Sequence, residues 1–125
     1  MKFNFFVNLV VLISMIFFNG NNLVFGANHN WIEISKTPAG VQYLDRDSLN
    51  IKDNDTIEIT TKYLKIDTNS LKKIEENIYI MRINCLNKEF KDISVNDKKN
   101  LTAKWQAPNG DKLLDDVILD SCKNV

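Results

Sequence analysis

Two cysteines, Cys85 and Cys122, constrain this chain more than any other feature, because each falls on an apolar face set by a different repeat. Around Cys85 the repeat is two. In residues 78–86, Tyr79, Met81, Ile83 and Cys85 alternate with their neighbours and point to one side of a strand. Around Cys122 the repeat is 3.6: Leu113, Leu114, Val117, Ile118 and Cys122 form one stripe of a helix, with Leu114, Ile118 and Cys122 at i, i+4 and i+8. Sulfurs on these two faces meet where the helix lies against the sheet. The expected fold class is therefore α+β: a single antiparallel β-sheet with a C-terminal α-helix packed on one face and tethered to it by a Cys85–Cys122 disulfide. The two positions are 37 apart, and closing a loop of that size stabilises a small domain by about 4 kcal/mol in the chain-entropy view.

A disulfide needs an oxidising compartment, and the N-terminus predicts one. Lys2 supplies a positive charge, residues 5–18 are apolar except for Asn8 and Ser14, and the polar Asn19-Gly20-Asn21-Asn22 follows. A helix needs about 20 apolar residues to cross the hydrocarbon core, so this run has the length of a secretory leader rather than of a permanent anchor. Val24-Phe25-Gly26 offers modest side chains for cleavage after Gly26 or Ala27. The expected organisation is a signal peptide over residues 1–26 and one domain over residues 27–125. No cysteine follows the apolar run to carry a diacyl lipid, so no membrane anchor is expected after cleavage. The expected location is exported: periplasm, cell surface or secreted.

Lys and Arg together number 16, as do Asp and Glu, and Lys2 lies in the leader. So even a balance excludes the concentrated basic surface that nucleic acid or an anionic membrane demands. Along the domain, residues 30–35 and 41–45 read as a hairpin around Pro38-Ala39-Gly40, and Asp53-Asn54-Asp55 marks a turn. Residues 56–66 form a long strand with Ile57, Ile59, Thr61 and Tyr63 on one face. Residues 67–77 are charged and read as a surface connection. Residues 90–95 and 101–107 are two further strands around the turn at residues 96–100. After Pro108-Asn109-Gly110, Asp111 is placed to cap the helix.

Each residue group that suggests chemistry has a plainer reading. Asp53-Asn54-Asp55 resembles the opening of a calcium loop, but Glu58 and Leu64 stand where the glycine and the closing glutamate belong. Asp115, Asp116 and Asp120 read as the wet side of the helix rather than as paired catalytic carboxylates. Asn54-Asp55-Thr56 and Asn100-Leu101-Thr102 fit a glycosylation pattern that an Asn-rich chain produces by chance. His29 stands alone, with no second ligand and nothing nearby to order it. Trp31, Tyr43, Tyr63 and Trp105 read as core aromatics before they read as an exposed binding strip. No catalytic, cofactor-binding or metal-ligating residue is assigned; the assigned pair is the disulfide, Cys85 and Cys122.

Trp31, the stretch Tyr43-Leu44-Asp45-Arg46-Asp47-Ser48-Leu49, Cys85 at the end of a core strand and Cys122 in the last helix together resemble the surface-adhesin protein E family of bacterial exported domains. The resemblance implies the same architecture and a role at the cell surface in binding host extracellular-matrix components. The functional expectation is an exported, non-enzymatic binding or structural module without a cofactor. The alternatives are an adhesin proper, with a host-matrix protein as partner, and a small-ligand or haem binder. Oligomeric state is left open by the sequence.

Overall fold

The computed structural model describes residues 28–125. The leader expected over residues 1–26, with its cleavage after Gly26 or Ala27, lies outside the described residues. The elements are β1 (Trp31–Thr37), β2 (Gly40–Asp45), β3 (Asn50–Ile51), β4 (Thr56–Ile66), β5 (Lys73–Asn84), β6 (Glu89–Val95), β7 (Lys98–Lys99) and one helix, α1 (Lys112–Ser121). All strands pair antiparallel in the order β1-β2-β4-β5-β6-β7, with β3 also paired to β4. The expected sheet, helix and tether are all present.

Register turns the two-residue repeat into a core. Leu44 faces Thr61 across β2 and β4, Ile57 faces Ile83 and Ile59 faces Met81 across β4 and β5, and Phe90 on β6 faces Ile83. Val117 and Ile118 of α1 close over these side chains. Burying an aliphatic side chain of this size contributes about 1.5–3 kcal/mol. The helix starts where it does because the Asp111 carboxylate accepts from the backbone N–H groups of Leu113 and Leu114. It is tied down at its other end by the disulfide, whose Cα atoms lie 5.8 Å apart at the margin of the core. Along its flank, Ser35 Oγ donates to Asp116 at 2.6 Å and Arg46 lies 3.4 Å from Asp120. Asp116 and Asp120 are thus half-buried struts between helix and sheet, not the freely solvated face expected; the reason is that α1 lies over β1 and β2, which brings their polar groups up to it.

Gly40 opens β2 because nothing else fits. A Cβ there would lie 2.5 Å from the Tyr63 ring and 2.7 Å from the Leu64 carbonyl oxygen.

Two boundaries differ from the sequence reading. Residues 101–107 form no strand. Asn96 and Asp97, both at positive φ, fold β7 tightly back along β6; the chain then swings out at Leu101, which is 91% exposed, and returns at Gln106, whose N–H and C=O both bond Phe90. β7 takes the edge of β6 at Ser94 and Val95, and the segment rejoins it at Gln106 alone, so no run of ladder bonds forms. Conversely, residues 73–77, expected as connection, are strand: Glu75 and Glu76 pair with Lys65 and Leu64. This ribbon extends past its neighbours and is wet on both sides, so it carries no apolar alternation to read.

Candidate functional site: the open face of the sheet

The helix covers one face only, and among the described residues no helix lies on the other. Its side chains are those one step out of phase with the core. Tyr43 pairs with Lys62, while Glu58, Arg82 and Lys91 pair in a row across β4, β5 and β6. These are long side chains with an apolar stem and a charged or polar tip, able to cover a sheet while keeping the tip in water.

They are organised at two ends. Near β1, the Lys62 ammonium lies 4.8 Å from the centre of the Trp31 ring and 4.7 Å from that of Tyr43, so it is held between two aromatic faces. His29 stacks on Trp31 at 4.7 Å and bonds the Asp45 carboxylate through Nδ1 at 2.8 Å. Near β6, the Lys91 ammonium lies 4.7 Å from the Trp105 ring, which remains 39% exposed. Between them, Glu58 accepts from Arg82 at 3.1 Å and pairs with Lys52 at 2.7 Å. Each cation–π contact contributes about 0.5–1 kcal/mol at an exposed site. Their larger effect is to hold Trp and Lys side chains in place before anything binds.

Three of the four aromatics read from the sequence as core are therefore on this open face. Trp31 and Tyr43 are half-buried, Trp105 is exposed, and the core contains none of them. Tyr63 alone lies on the helix side, where its hydroxyl donates to the Ala39 carbonyl. The parity signal was available: Tyr43, Lys62, Arg82 and Lys91 each sit one position from a core residue, namely Leu44, Thr61, Met81 and Phe90. His29 is ordered after all, because Asp45 lies across the strand pair from Trp31, a proximity that a separation of 16 positions conceals.

Asp45 explains the stretch at residues 43–49. Its carboxylate, 5% exposed, accepts from His29 and from the backbone N–H groups of Asn30 and Asp47, while Ser48 Oγ donates to its carbonyl and accepts from Thr60 N–H. Burial opposes ionisation of this carboxyl, but the bonds from His29, Asn30 and Asp47 together outweigh it and hold it below the usual carboxylate range. The stretch is a device that turns the chain after β2 and seats the N-terminal residues.

The remaining candidates stay apart from this face or are occupied. Asp53 accepts from the backbone N–H groups of Asp55 and Thr56, which makes it a turn residue. Asn100 donates to the Asp92 carbonyl. Among the described residues, no group of three or more His, Cys, Asp or Glu is placed to hold a metal ion, and no helix is long and apolar enough to cross a membrane.

The molecule is thus a disulfide-tied sheet-and-helix domain with one face packed and the other furnished with paired aromatics and cations. The chain belongs to the surface adhesin-E family, whose model matches residues 32–125. No curated protein and no solved structure matches it. Family membership makes the chain an adhesin-like module of the exported or cell-surface kind.

Proposed function

We propose that this chain is a non-enzymatic binding module, released from a leader over residues 1–26, that engages an extracellular or host-matrix protein through the open face of its sheet. The observation supporting this reading is the pair of preset aromatic–cation clusters, Trp31–Lys62–Tyr43 and Lys91–Trp105, on the face away from the helix. Trp, Tyr and Arg are the side chains that dominate protein–protein binding energy, and rings already held in place lose little freedom on association. Lys62, Arg82 and Lys91 alternate there with Glu33, Glu58 and Glu89, which favours a partner surface that carries both signs of charge.

Protease shaving of intact cells tests the location: exposure at the surface fits the adhesin, and complete protection removes it in favour of a periplasmic module. Binding of the exported protein to immobilised extracellular-matrix proteins tests the face. A Trp105→Ala, Lys91→Ala double variant is expected to lose binding with its melting temperature nearly unchanged; retention of full affinity overturns the assignment of the face.

A further inference from the structure

The helix side carries a second site. Because α1 lies over β1 and β2, its first turn leaves part of the sheet beside it uncovered, and the recess there has a volume of about 320 Å³. Its floor is made by cross-strand pairs: Thr61 beside Tyr79, and Met81 beside Asp92. Tyr63 and Phe90 stand at its sides, Leu113 and Leu114 of α1 form the far wall, and Asp111 lies at the rim.

Asp92 is out of keeping with a packing role. It is half-buried on β6, yet among the described residues its carboxylate takes part in no hydrogen bond or ion pair. Burial pushes its pKa up, so its ionised form comes at a cost to the fold. The phenols of Tyr79 and Tyr63 are also held above their usual range, first by burial and then by the negative charges around them, Asp92 and Glu75 for Tyr79, Glu75 and Asp111 for Tyr63. No Lys or Arg lines the recess. The recess is therefore lined by aromatic rings and carboxylates, half open to solvent, with no side-chain donor paired to the Asp92 carboxylate among the described residues.

We infer that this recess binds an alkylammonium or guanidinium group carried on a slim aliphatic stem. The cation pairs with Asp92, its charge lies against the faces of Tyr63, Tyr79 and Phe90, and the stem packs on Met81 and the two leucines. An anion is repelled, and a neutral group of the same shape leaves the buried carboxylate as costly as before. The volume is at the small end for ligand pockets and accommodates one alkylammonium or guanidinium group with its stem. Such a group comes either on a free amine or on a lysine or arginine of a protein.

The test is an amide-resolved NMR titration of the protein expressed from its full chain and purified after export. The probes are cadaverine, Nα-acetyl-lysine methylamide, Nα-acetyl-arginine methylamide and the neutral Nα-acetyl-norleucine methylamide. Saturable shifts at the amides of Phe90, Asp92 and Leu113 are expected with the cations and not with norleucine. A response to cadaverine alone assigns a free amine; a response to the lysine or arginine amide assigns a protein side chain. Asp92→Asn is expected to weaken binding at least about tenfold while keeping or raising the melting temperature. Asp111→Ser, which preserves the helix cap and removes the rim charge, is expected to weaken it severalfold and serves if Asp92→Asn folds poorly. No saturable shift with any cation, an equal response to norleucine, or undiminished affinity in the variants overturns the inference.

Discussion

The two faces of this sheet use the same strands for opposite ends. On the helix side, Leu44, Ile57, Ile59, Met81, Ile83 and Phe90 are buried with Val117 and Ile118, and their contacts are apolar. On the open side the same strands present Tyr43, Lys62, Glu58, Arg82 and Lys91, whose contacts are long, polar-tipped and partly wet. One face therefore carries stability, and the other can change its chemistry with little effect on the fold. Adjacent residues on one strand differ in role because a strand reverses its side at each step.

The comparison is sharpest where the packed face is broken. Replacing Cys85 and Cys122 by serine together is expected to cost about 4 kcal/mol in denaturant unfolding. Ile83→Ala, at a fully buried position facing Ile57 and Phe90, is expected to cost about 2–5 kcal/mol. Gly40→Ala follows at about 1–3 kcal/mol, because the Tyr63 ring and the Leu64 carbonyl must move to admit a methyl group. On the open face, Lys62→Ala is expected to cost no more than about 1 kcal/mol by the same measurement. A loss from Lys62→Ala equal to that from Ile83→Ala would erase the distinction between the faces.

Asp45 supplies a pH signature at the boundary between them. Its carboxyl is held below the ordinary value of 3.8, so its contribution to stability is present above that value and is lost as the pH falls through the lowered folded-state value. Melting temperatures followed from pH 5 downward should therefore fall, beginning near pH 4, and Asp45→Asn should flatten that slope. An unchanged slope in the variant would assign the acid sensitivity elsewhere.

The packed face was legible because burial imposes a period. Ile57, Ile59 and Thr61 repeat at two, Leu114 and Ile118 at four, and the cysteines fall in step with both. The open face was legible only as positions out of phase with the core; a tryptophan at a strand position looks alike whichever side it faces, and only register assigns Trp31 to Lys62. His29 and Asp45, Ser35 and Asp116, and Arg46 and Asp120 were hidden for a related reason: polar pairs leave no periodic trace and are joined only by topology. Residues 101–107 misled in the other direction, since alternation of Leu101, Ala103 and Trp105 suggests a strand where Gln106 alone meets the sheet edge. Asp92, the key residue of the recess, looked like any charged strand residue until the position of α1 showed what lies above it.

Trp31 and Trp105 are the two tryptophans of the chain, and neither lies among the buried core residues. Intrinsic emission at 295 nm excitation is consequently an optical reporter of the outward surface: docking of a macromolecule there shifts or quenches it, whereas loosening under the helix leaves it dim to the event.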